Sequence, residues 1–204
     1  DDGLIFLPDT VTAETIREND TYQGVRMNLE ARLGNARIPL QVDIGFGDAV
    51  TPKAGKILFP TLLEFPAPKV AAYPKETAIA EKYEIMVKLG LANSRMKDYF
   101  DLWTLCREFD FDGEILSAAI RATFRRRKTA LPTELPVALS AEFYGNSAKQ
   151  RQWEAFIKRG RLKVAETDLA EVVEVIRGFL GPVSDAAIEE TSFKGHWPKG
   201  GGWR

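Results

Sequence analysis

Gly34-Asn35 separates two stretches of alternating apolar and polar residues, and a two-residue link of that chemistry closes a β-hairpin. The strands it predicts run from about Tyr22 to Leu33 and from Ala36 to Phe46. So short a link leaves no freedom of register: Leu33 faces Ala36, and paired residue numbers sum to 69. One face then sets Val25, Met27 and Leu29 against Ile44, Val42 and Leu40, and is expected to be core. The other sets Arg26 against Asp43, Asn28 against Gln41 and Arg32 against Arg37. Weaker strands are expected at Leu4–Leu7 and Thr12–Arg17. Thr51–Ala72 carries Pro52, Pro60, Pro66 and Pro68, and reads as a loop with one or two short edge strands.

Pro74 marks a change of period. Pro suits a first helical position, and Pro74–Gly90 is apolar at Ile79, Ile85, Met86 and Leu89 before a stop at Gly90. Ser94 is expected to cap a second helix, about Arg95–Phe109, and Asp112–Arg127 is the third. A linker with two prolines, Thr129–Pro136, leads to helices near Ser147–Arg159 and Asp168–Leu180. The fold class is therefore α+β: a partial mixed or antiparallel sheet with a long hairpin, followed by a C-terminal helical bundle. We expect residues 1–73 to form the β-core, 74–193 the helical domain, and 194–204, with three consecutive glycines, a flexible tail.

Composition narrows the chemistry. The chain has 204 residues, 45% hydrophobic and 28% charged, the mix of a globular protein. Its apolar runs fall far short of the roughly 20 residues that span a bilayer, so no membrane partner is expected and the reading is cytoplasmic. One cysteine, Cys106, and one histidine, His196, leave no Cys/His cluster for zinc and argue against a Ser–His or Cys–His hydrolase. A metal here would be oxygen-ligated.

Charge is uneven. The net charge is −1, yet from Arg121 to Lys163 eleven Lys/Arg face three acids, Glu134, Glu142 and Glu154, so that segment is +8 and the rest −9. Within it lies the run Arg125-Arg126-Arg127-Lys128. Such asymmetry fits a polyanionic partner such as RNA, or equally internal pairing with the acidic half.

Three charged positions break the local pattern. Asp43 sits in a strand beside Gly45 and Gly47, where it is either a hard-cation ligand or the cross-strand partner of Arg26. Lys82 falls inside the apolar arc of its helix, with Glu81 pointing about 100° away and Glu84 and Lys88 toward solvent. An ammonium placed there either snorkels out or meets an anion. Asp98 lies at the edge of the buried face of the next helix, and Asp101 about 60° further toward solvent. The short Leu91–Ser94 connection makes these helices antiparallel, so Lys82 and Asp98 can also pair as a structural lock.

The segments VDIGFGD (Val42–Asp48), AEKYEIMVKLG (Ala80–Gly90) and SRMKDYFDLW (Ser94–Trp103), in this order, resemble the nucleotidyltransferase AbiEii/AbiGii toxin family. That family belongs to the DNA-polymerase-β-like nucleotidyltransferase superfamily and acts in type IV toxin–antitoxin or abortive-infection systems. The resemblance implies nucleotide transfer from an NTP to an RNA acceptor, tRNA among them, with Mg2+ or Mn2+ held by strand carboxylates and a cognate antitoxin as partner. By position, Asp43 resembles the third acid of the metal site, and Lys82 the triphosphate-contacting lysine. Asp98 resembles the acid of the last motif, flanked by Lys97 as a second nucleotide contact, with Glu81, Arg95 and Asp101 in support. Arg125, Arg126, Arg127 and Lys128 are then candidates for RNA contact.

One departure from the family pattern counts against activity. Members carry a Gly-Gly or Gly-Ser turn and then an Asp-x-Asp pair, and nothing before Asp43 resembles either, Asp1-Asp2 being adjacent rather than alternate. The expectation is an N-terminally incomplete version that is catalytically dead or nearly so, because Mg2+ of this kind needs several anionic oxygens. The alternative is a non-catalytic module derived from that fold, which binds RNA or an antitoxin.

Overall fold

A computed structural model describes residues 2–16, 24–162 and 168–204. The expected strand limits at Arg17 and Tyr22, together with Asp1 and Lys163, lie outside the described residues. The chain forms two compact units, Asp1–Asp48 and Ala49–Arg204, so the division falls after Asp48 rather than at Pro74.

The first unit is an antiparallel sheet of β1 (Leu4–Ile16), β2 (Gly24–Leu33) and β3 (Ala36–Gly45), with β2 central. The β2–β3 register is the one the turn dictates, from Leu33 opposite Ala36 through Arg26 opposite Asp43 to Val25 opposite Ile44. Gly34 turns the corner at φ +57°, a left-handed conformation that suits glycine. The two weak strands expected before the hairpin are one strand, whose pairing shifts between Leu7 and Thr12. Thr10 bridges that shift: its hydroxyl donates to the Leu7 carbonyl and accepts from the Glu30 N–H. The face expected to be core is only partly so. Ala31 is fully buried, but Val42 and Ile44 are 49% and 37% exposed, because three strands supply no second layer within their own unit.

The second unit opens with a short hairpin of β4 (Gly55–Leu58) and β5 (Lys69–Ala72). Helices α1 (Lys75–Leu89), α2 (Met96–Glu108) and α3 (Gly113–Arg127) follow, with the two-residue strand β6 (Phe111–Asp112) before α3. Then come α4 (Ala141–Tyr144), α5 (Ser147–Gly160), α6 (Leu169–Glu189) and β7 (His196–Trp197). Pro74 is the residue before α1, and Asp112 caps α3 by accepting from the Ile115 N–H. Ser94 does not cap α2; Arg95 holds that place, and the Asn93 side chain accepts from the Arg95 N–H instead.

The core lies where α1 and α2 pack on α3 and α6, around Ile79, Met86, Leu102, Ile120, Phe124, Ile176 and Phe179. α6 runs past Leu180 and through Pro182 because Val183, Ala186 and Ala187 continue its buried stripe. The expected flexible tail is instead packed. Trp197 is 5% exposed and donates its indole N–H to the Cys106 carbonyl, and Trp203 stacks on Phe179 and donates to its carbonyl. Gly200, Gly201 and Gly202 hold φ between +92° and +100° and fold the chain back, so that His196 and Arg204 exchange both backbone hydrogen bonds. Here glycine marks a turn, not a loose end.

Candidate functional site

The site grows from the antiparallel meeting of α1 and α2. Lys82 projects from α1 and its ammonium donates to Asp98 Oδ1 at 2.8 Å and Asp101 Oδ2 at 2.7 Å. Arg95, just before α2, donates from Nε to the other Asp98 oxygen at 2.5 Å. Asp98 is buried, its side chain 3% exposed, whereas Lys82 and Asp101 keep 22% and 27%. A buried carboxylate is costly unless paired, and the i, i+3 spacing of Arg95, Asp98 and Asp101 gathers these groups on one face.

The electrostatics follow from that balance. Burial pulls the Lys82 ammonium down, but hydrogen bonds to Asp101 and Asp98 and their charges outweigh it, leaving its pKa raised. Burial pushes Asp98 up, yet the bonds from Arg95 and Lys82 win and hold it below the usual carboxylate range. Lys82 and Asp98 are therefore both charged at neutral pH. Cys106 offers no nucleophile: it is fully buried and its thiol is pushed up to about 12.

Beside this cluster lies an open cleft of about 550 Å3 between the start of α2 and α5, lined among others by Arg95, Lys97, Asp98, Gln152, Phe156 and Arg159. The N-cap Asn146 fixes the start of α5, accepting from the Ala148 and Lys149 N–H groups. Lys149, 6% exposed, ties α5 to the turn before α2 by donating to the Asn93 carbonyl at 2.8 Å.

The remaining expected residues have partners of their own. Asp43 lies in the sheet unit, where Arg26 grips both its oxygens at 2.8 Å and Gln41 donates to Oδ1 at 3.2 Å. Arg127 turns inward, 11% exposed, donating to Glu84 at 2.9 Å and lying 3.4 Å from Glu81, while Arg125, Arg126 and Lys128 stay exposed. Glu84, expected on the solvent side, is 1% exposed, since α3 covers the face of α1 that a single-helix wheel assigns to water. Glu81 also accepts from the Tyr73 hydroxyl at 2.5 Å. Sequence reasoning missed the α5 wall; the spacing 152, 155, 156, 159 inside the basic segment was its one available sign.

The donor set does not fit a divalent cation. Among the described residues no three His, Cys, Asp or Glu side chains gather to hold a metal, and the oxygens of Asp43 and Asp98 already accept from cations of the chain. Among those residues, too, no helix is long and apolar enough to cross a membrane.

Neither a curated protein nor a solved structure matches the chain. A family model does, over residues 3–175, which takes in the sheet, the Lys82–Asp98 cluster and the α5 cleft; its description is nucleotidyl transferase AbiEii toxin, type IV TA system. With most of its length matched, the chain belongs to the AbiEii family of nucleotidyltransferase toxins of type IV toxin–antitoxin systems.

Proposed function

We propose that this chain serves nucleotide transfer from an NTP to an RNA acceptor of tRNA type, as a cytoplasmic toxin held in check by a cognate antitoxin. One observation carries the reading. An ammonium has three donors; Lys82 spends two on Asp98 and Asp101, remains partly exposed, and so presents a fixed cation with a donor to spare for a phosphate oxygen. Asp98, buried and accepting from both Lys82 and Arg95, acts as a positioning residue that orients these two cations. Asp101 braces Lys82 from α2, while Glu81 turns to Tyr73 and Arg127. Lys97 stands on the cleft wall beside Asp98 as the second candidate for a phosphate contact.

Family members use a divalent metal, which neutralises charge on the attacking and leaving oxygens. Asp43 is the candidate strand carboxylate for Mg2+ or Mn2+, but a single acid already gripped by Arg26 does not make such a site, and no step is routed through it. We therefore expect transfer by this 204-residue chain to be at or near background. Incubation with labelled NTPs, Mg2+ and bulk tRNA checks this, and robust incorporation would refute it. Triphosphate binding tests the site separately: Lys82→Met should weaken it by about tenfold or more, the worth of one charged hydrogen bond. Unchanged affinity would remove Lys82 from the site. The saturation of Asp43 and Asp98 by internal cations favours a second reading, a non-catalytic module that binds RNA or the antitoxin. RNA binding without any NTP binding would select it.

A further inference from the structure

We infer that the cleft between α2 and α5 binds the phosphodiester backbone of a single-stranded RNA. Its walls bring Arg95 and Lys97 from the start of α2 opposite Arg159 of α5, all exposed, with Gln152 and the half-buried Phe156 ring between them. On α5, Gln152, Ala155, Phe156 and Arg159 follow the i, i+3, i+4, i+7 spacing of one helix face. Arg151 and Lys158, seven residues apart and exposed, continue the positive surface on the adjacent stripe. Glu154, the lone acid of this helix, lies about 160° around it from Gln152 on an ideal wheel.

The pairing pattern sharpens the assignment. Among the described cleft residues Asp98 is the one carboxylate, and its oxygens accept from Lys82 and Arg95, so these residues present cations, an amide and an aromatic ring. A triphosphate arrives with a divalent ion and wants carboxylates near it. A strand backbone carries single, separated charges and exchanges monovalent counterions for Lys and Arg, while its bases stack on aromatic faces. The open cleft with cations on both walls suits the strand.

This inference rests on the transferase reading for its choice of RNA, and its test uses neither NTP nor divalent metal. The anisotropy of a short fluorescein-labelled single-stranded RNA is followed against the full chain. Lys97→Ala and Arg159→Ala should each weaken binding by about tenfold. The slope of log K against log salt should become shallower by about 0.7 for each phosphate that a variant no longer neutralises. Arg159→Lys should keep most of the affinity, and Lys53→Ala/Lys56→Ala, in and just before the β4–β5 hairpin, should match wild type. The proposal is overturned if wild type does not bind the RNA, or if both cleft variants bind like wild type. Should Lys82→Met leave NTP affinity unchanged while Arg159→Ala weakens RNA binding, only the transferase reading falls.

Discussion

Asp43 in the sheet unit and Asp98 in the helical unit make the same kind of contact and differ in what surrounds it. Each carboxylate accepts from an arginine and a second donor. Asp43 does so at 43% exposure, from the neighbouring strand and from Gln41 two residues away on its own. Asp98 does so at 3% exposure, joining α1 to α2 beside a cleft. Water competes for every bond Asp43 makes and for few of those Asp98 makes, so similar geometry has unequal consequences. A carboxylate that locks two helices at the rim of a cleft is placed to position cations for a ligand. One that spans two strands in the open mainly helps set register.

Perturbing these contacts should give graded effects. The largest belongs to a third carboxylate, Glu84, which is as buried as Asp98 but draws on one cation. Arg127→Ala should cost about 3–5 kcal/mol in denaturant unfolding, because it leaves Glu84 with the Thr129 hydroxyl alone. A loss below that of Asp98→Ala would reverse the ranking by burial. Asp98→Ala itself should cost about 3 kcal/mol, the low end of that range, since Lys82 retains Asp101 and Arg95 is free to turn to solvent.

The pH dependence of the Asp98 effect has a definite sign. Asp98 is held below its ordinary 3.8, so its contribution is complete above that value and fades as pH falls through its lower folded value. Lys82 is raised above 10.5, so its contribution is complete below that value and fades as pH rises through its higher folded value. The stability gap between wild type and Asp98→Ala should thus be flat from about pH 4 to 10 and shrink beyond both ends. A gap that closed near pH 7 would contradict the pairing. Lys82→Met comes next, at about 1 kcal/mol or less, since Asp98 keeps Arg95. Arg26→Ala should leave the melting temperature within scatter, its pair being solvated; a clear drop would mean that Asp43 has more to hold than its strand neighbour.

Local features carried well from residues to structure. The Gly34-Asn35 link set the pairing of β2 and β3, and the spacing of α1 and α2 foretold the approach of Lys82 and Asp98. Readings that needed a neighbour did not carry. Glu84 was assigned to water because a helical wheel knows nothing of α3, and the C-terminal glycines suggested a loose end because the partners of Trp197 and Trp203 come from α2, β6 and α6. The α5 wall escaped notice because its partner wall lies more than fifty residues earlier.

Sequence alone determined the hairpin register, the succession from strands to the main helices, and the family, since each rests on short-range steric rules or on ordered motifs. Tertiary structure decided which charges are sealed, which face a cleft, and whether the tail packs. Those outcomes depend on how much water is excluded around a group, and that is set by elements distant in the chain.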